Sequence, residues 1–190
     1  MDGTLTVAAH DFAAIRSELG LAEGRLILEE LKAMPRAQSA PLYARLDELE
    51  LELARAARPA PGAMRLLQIL SSAKSRLGIV TRNSHANAIE TLRACGLDAF
   101  FRPCCIFGRE SAPPKPDPSG IRALLAHWDQ PPMSAVMVGD YLFDLQAGRA
   151  AGTVTAYVDL TGEFRFADHA DVQVRDLDAL RAELANTLHS

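Results

Sequence analysis

Apolar positions change their period once along the chain. From residue 11 to 57, Ile15, Leu19, Leu26, Leu28 and Leu31, then Leu42, Leu46, Leu49, Leu51 and Leu53, recur at helical spacing among Ala, Glu and Arg. Pro35 and Pro41 cut this stretch, which predicts three helices, the first capped by Asp11. The stiff run Arg58-Pro59-Ala60-Pro61-Gly62 closes it.

Beyond that boundary, short apolar runs alternate with amphipathic stretches. Helices are predicted over 63–71, 86–95, 119–128, 142–151 and 177–188, and strands over 76–81, 100–107, 135–138, 154–158 and 172–174. Pro103 interrupts the second strand, and Gly96 and Gly152 stop two of the helices. Strands alternating with helices predict an α/β fold, a Rossmann-like parallel sheet with helices on both faces. The helical stretch adds a small all-helical cap. The expected organisation is a discontinuous core, residues 1–10 and 59–190, with the cap over 11–58.

Composition narrows the class. The 190 residues are 48% hydrophobic and 23% charged, which excludes a disordered or fibrous chain. A net charge of −4 supplies no field for nucleic acid or an anionic membrane. No apolar run reaches the ~20 residues of a membrane span, and Met1 is not followed by a secretory pattern. Cys95, Cys104 and Cys105 make no disulfide framework, so a cytoplasmic protein with buried, inert thiols is expected. No Cys-His cluster has zinc-ligand spacing, and no serine sits in a nucleophile elbow.

In open parallel sheets, sites form beyond the carboxyl ends of the strands. Read in order, those ends carry Asp2-Gly3-Thr4, then Thr81-Arg82-Asn83, then Lys115 between Pro114 and Pro116, then Gly139-Asp140 with Asp144 following. Each is unremarkable alone: a turn, a helix cap, a loop charge, a first-turn acid. Together they supply hydroxyl and ammonium groups suited to a phosphoryl group, and carboxylates suited to Mg²⁺, a hard cation that takes oxygen ligands.

These four segments resemble the four motifs of the haloacid dehalogenase superfamily, in the branch of phosphoglycolate phosphatases and related small-molecule phosphatases. Met1-Asp2-Gly3-Thr4 matches most of Asp-x-Asp-Gly-Thr, and 78–83, 113–118 and 138–144 match the other three. The resemblance spans nearly the whole chain. It implies a Mg²⁺-dependent phosphatase of small phosphorylated metabolites that works through an aspartyl phosphate. Asp2 would be the acid that protonates the leaving group and then activates water, its backbone carbonyl also a metal ligand. Gly3, Thr4, Thr81, Asn83 and Lys115 would bind the phosphoryl group, with Lys115 neutralising charge. Asp140 would ligate Mg²⁺, and Asp144 would ligate through water or orient Lys115. A phosphomutase, or a catalytically silent phosphate- or partner-binding protein on the same fold, shares these motifs. Dehalogenation fits less well, because Gly3, Thr4 and the acids follow the phosphatase pattern.

The departure lies at the front. The family's nucleophilic Asp would stand two positions before Asp2, one before Met1, and the sequence does not contain it. The expectation is a start further upstream, with Met1 inside the catalytic loop. Lacking an apolar central strand would cost on the order of 10 kcal/mol of burial, against a domain stability of about 5–15 kcal/mol. The 190-residue chain is therefore expected to be barely stable and inactive. Three side chains and one helical face are given structural roles instead: His10 in a loop or hinge, His85 on a helix start, Trp128 in packing, and the Leu-rich face in the cap core and its contact with the rest. Arg82 is left between a substrate contact and a surface position.

Overall fold

The structure is a computed structural model that describes residues 1–7, 11–22 and 24–187. His10 lies outside them. Three helices come first: α1 (Phe12–Glu18), α2 (Ile27–Ala33) and α3 (Arg36–Ala56). Asp11 caps α1 as expected, its Oδ1 accepting from the Ala13 and Ala14 amides at 3.1 and 3.0 Å. Pro35 separates α2 from α3 as predicted, but the other break does not fall at Pro41. The chain leaves the helix around Gly20 and Gly24, both at positive φ, whereas Pro41 lies inside α3. Pro41 sits near the start of that helix, where a missing amide disrupts few backbone bonds. Ile15, Leu19, Leu31 and Leu46 form a buried cluster between the three helices. The Leu-rich face is thus a local core.

The remainder alternates as the pattern predicts. In order it contains α4 (Ala63–Ser72), β1 (Ile79–Val80), α5 (His85–Ala94), β2 (Ile106–Phe107), α6 (Ser119–Trp128), β3 (Val136–Gly139), α7 (Leu142–Ala151), β4 (Val154–Val158), β5 (Val172–Val174) and α8 (Leu177–Thr187). Every pairing among these five strands is parallel. β1 pairs with β2, Ile79 opposite Ile106, and β4 lies between β3 and β5, with Val136 opposite Val154 and Ala156 opposite Val172. The strand predicted over 100–107 shortens to two residues. Pro103 opens a 3₁₀ turn, Pro103–Cys105, where ladder bonds would otherwise form.

Helices cover both faces. One core cluster joins Leu66 and Leu67 of α4, Leu92 of α5 and Leu177 and Leu180 of α8 to Ile79, Ile106, Ala156 and Val174 of the strands. Ile121 and Leu125 of α6 pack with Ala147 and Ala151 of α7 on the other side, against Val80 and Met137. Ile79 and Val80 thus face opposite layers, as successive strand residues do. Met1 and Leu5 pack against the first cluster, and the front segment is anchored to 58–60 by the Val7 amide on the Arg58 carbonyl and the Ala60 amide on the Leu5 carbonyl, at 3.0 and 2.9 Å. Among the described residues, no helix is long and apolar enough to cross a membrane.

Candidate active site

Among the described residues the two groups of strands share no backbone ladder, yet residues 2–6 tie their carboxyl ends together. After β1 comes Thr81-Arg82-Asn83. The Asn83 side-chain amide donates to Asp2 Oδ2 at 2.9 Å, and the Thr6 hydroxyl donates to Asp2 Oδ1 at 3.2 Å. After β3 comes Asp140, whose Oδ1 accepts the Thr4 hydroxyl at 2.6 Å. The front loop turns because Gly3 takes φ +75°, open to glycine at no steric cost. A Cβ there would stand 2.2 Å from Asp140 Oδ2, so the absent side chain also makes room for that carboxylate.

Lys115 is not the solvated loop charge that its prolines suggest. It is 5% exposed, and its Nζ donates to Asp144 Oδ1 at 2.5 Å. Asp144 stands at the third position of α7, where its Oδ2 accepts the Tyr141 amide at 3.1 Å. Both Asp144 oxygens are therefore engaged. Burial pushes the Asp144 carboxyl up, but the Lys115 ammonium, the positive chain terminus and the Tyr141 amide outweigh it and hold it below the ordinary range. Asp140 goes the other way. Burial lifts its carboxyl, the Thr4 hydroxyl and the chain terminus acting against that and the Asp144 charge adding to it.

Thr81 is buried, and its hydroxyl accepts the Asn83 amide at 3.2 Å. Asp2, Gly3, Thr4, Thr81, Asn83, Lys115, Asp140 and Asp144 thus all belong to the front loop or to segments following β1, β2 and β3. They form linked pairs rather than one knot. Among the described residues, the carboxylates of Asp2, Asp140 and Asp144 do not converge within 4.8 Å of one another. Asp140 is the acid that fits a hard cation best: it is half-buried, desolvation makes its charge costly there, and Thr4 takes Oδ1 while Oδ2 lies against Gly3.

Arg82 has a role that spacing could not reveal. Its guanidinium donates to the Lys115 carbonyl at 2.7 Å, forms a two-pronged contact with Glu29 of α2 at 2.8 and 2.9 Å, and lies 5.3 Å from the Phe143 ring centroid. It joins the helical layer to the lysine loop. Arg109, following β2, reaches Glu50 at 2.8 and 3.0 Å and also Asp47, both on α3. Partners 53 and 59–62 residues apart leave no local trace. His85 is structural, its Nδ1 2.8 Å from the Ile106 carbonyl. Trp128 packs in the space left at Gly78.

Parallel strands between two helical layers, with acids, a threonine and a buried lysine beyond the strand ends, define an α/β domain of the Rossmann-like class. Residues 1–152 match the haloacid dehalogenase-like hydrolase family, and the chain belongs to that family. It is 32% identical over 176 residues to a haloacid dehalogenase-like hydrolase domain-containing protein of Arabidopsis thaliana, covering 86% of this chain and 70% of that protein. It is 38% identical over 95 residues to the pyrophosphatase PpaX of Bacillus velezensis, across 50% of this chain and 44% of that one. A hydrolase from Pseudomonas syringae superposes with a TM-score of 0.81 at 22% identity, covering 97% of this chain and 95% of that one. A putative phosphoglycolate phosphatase from Lactobacillus plantarum gives 0.72 at 20% identity, with 98% and 95% covered. The two structural likenesses show the fold.

Proposed function

We propose that this chain carries the site of a Mg²⁺-dependent phosphatase acting on small phosphorylated metabolites, with residues 1–10 and 59–190 as its core and 11–58 as its cap. The observation that carries the reading is the buried Lys115–Asp144 pair beside a half-buried acid, Asp140, whose carboxyl is raised by desolvation. Burying an ammonium costs several kcal/mol unless partners compensate, and a fixed ammonium at a strand end suits the charge of a phosphoryl group. The named activity of the PpaX relative supports phosphoester or phosphoanhydride chemistry.

Each side chain has a part in this proposal. A carboxylate one position before Met1 would attack phosphorus, forming a P–O bond as the ester oxygen leaves. Asp2, steadied by Asn83 and Thr6, would give its proton to that oxygen and then take one from the water that breaks the aspartyl phosphate. Thr81, Asn83, Gly3 and Thr4 would bind the phosphoryl oxygens. Lys115 would offset their charge, held in place by Asp144. Asp140, with the Asp2 carbonyl, would hold Mg²⁺. Magnesium, when bound, would screen the repulsion between carboxylates and phosphoryl oxygens.

The test is an N-terminal extension of an apolar strand ending in Asp immediately before Met1, assayed on a generic phosphomonoester. Turnover is expected only with Mg²⁺, to be lost in D140N and to fall by about 10²–10⁴-fold in D2N. An extended protein that stays inactive on a broad panel of phosphorylated metabolites overturns the reading. Phosphate binding without turnover would mark a silent binding protein on the same fold.

A further inference from the structure

Away from this site, the fold assembles a second set of donor atoms from residues whose linear spacing carries no metal signature. Cys104 and Cys105 lie in the 3₁₀ turn that precedes β2, and His127 lies in the last turn of α6. The two sulfurs are 3.9 Å apart, and Cys104 Sγ is 4.0 Å from His127 Nε2. All three donor atoms fall within 4.8 Å of one another.

These separations suit one ion. Two thiolates bound tetrahedrally at a Zn–S distance of about 2.3 Å stand roughly 3.8 Å apart, close to the spacing the chain already holds without metal. A thiolate and an imidazole on one such ion stand roughly 3.5 Å apart, so the imidazole must close by about 0.5 Å on Cys104 Sγ and by at most about 1.3 Å on Cys105 Sγ, and His127 is exposed. Packing and turn geometry set the frame around the cluster. The Trp128 ring occupies the space at Gly78, where a Cβ would come within 2.8 Å of it, and this seats the end of α6. Asp129 then ends the helix in the left-handed region at φ +51°. Pro103 sets the turn that presents both sulfurs. Cys105 is buried and Cys104 exposed, so an ion would have one protein-facing and one solvent-facing thiolate.

We propose that Cys104, Cys105 and His127 bind a thiophilic divalent ion of the zinc class, with a fourth position open to solvent. Each thiol gives its proton to solvent on binding, and two thiolates neutralise the ion's charge. The ligand set is soft, unlike the all-oxygen donors around Asp140. Cys104 and Cys105 lie just before β2, at the amino end of that strand and of its parallel neighbour β1, whereas Thr81 and Lys115 follow the carboxyl ends. It is therefore independent of the phosphatase reading.

Cd²⁺ titration of the chain in a phosphine reductant tests the assignment, because cadmium–thiolate bonds give an ultraviolet charge-transfer band that carboxylates cannot. The expected result is a band that saturates at one ion per chain, is displaced by Zn²⁺, and is untouched by excess Mg²⁺. C104S and H127A should each weaken binding by at least about tenfold. Both positions are exposed, so unfolding midpoints measured without metal should match the parent. Absence of the band overturns the proposal. So does a band that H127A leaves unchanged, which would mean a dithiol contact without the histidine.

Discussion

Lys115→Met is expected to destabilise the protein by about 3–5 kcal/mol, the usual cost of removing one partner from a buried ion pair. The Lys115 and Asp144 side chains are 6% and 9% exposed, so water cannot replace the lost ammonium. The sign of the pH response should also reverse. In the parent, Asp144 is held below the ordinary carboxylate range. Its contribution is therefore full above pH about 4 and is lost as pH falls through the lowered value. In Lys115→Met, burial dominates and Asp144 binds a proton more readily in the folded state. Acidification should then recover stability that is missing at neutral pH. Adding Asp144→Asn should restore much of it, since an amide oxygen can still accept the Tyr141 amide. Urea unfolding of the two single variants and the double variant, at pH 5 and pH 8, measures all of this. A loss below about 1 kcal/mol, or additive single effects, would show that the pair does not bear on the fold.

Gly139→Ala should cost about 3 kcal/mol or more, at the upper end for overpacking. The ideal Cβ would stand 2.2 Å from Asp144 Cβ and 2.4 Å from its Cγ. No rotamer of Asp144 relieves a clash with its own Cβ, so the first turn of α7 must lift from the end of β3. That shift carries the carboxylate away from Lys115. Gly139→Ala should therefore lose phosphatase activity in the extended protein even at temperatures where it remains folded. Circular dichroism melts and phosphomonoester assays read the two effects separately. An alanine variant with a parent-like melt and turnover would refute the close approach.

How far the sequence could be read follows from the range of each cause. Periodicity and caps are local, and they announced α4, α6, α7, β4 and β5 within a residue or two. The parallel α/β class followed from the alternation alone. Residue 41 misled because a proline's effect depends on its place in a helix, which only the finished helix defines. The strand over 100–107 was over-read because apolar character survives in a 3₁₀ turn. The candidate residues were legible by type and by their place at strand ends. Their partners were not. Nothing near Asp2 foretells Asn83, and Asp144 near the start of a helix reads equally well as a cap or a ligand; its Oδ2 does cap, and its partner on Oδ1, Lys115, lies 29 residues away.

The two arginines that join the helical layer to the rest differ in how they answer to ionic strength. Arg109 is 10% exposed and its partner Glu50 9%, so added salt reaches that pair poorly. The Glu29 partner of Arg82 is 46% exposed, and pairs of that kind contribute only about 0–1 kcal/mol and are screened. Salt therefore slackens the attachment at α2 before the one at α3. Amide exchange in α2 should quicken between low and high salt while that of α3 holds, which makes the Arg109 end the pivot of the layer.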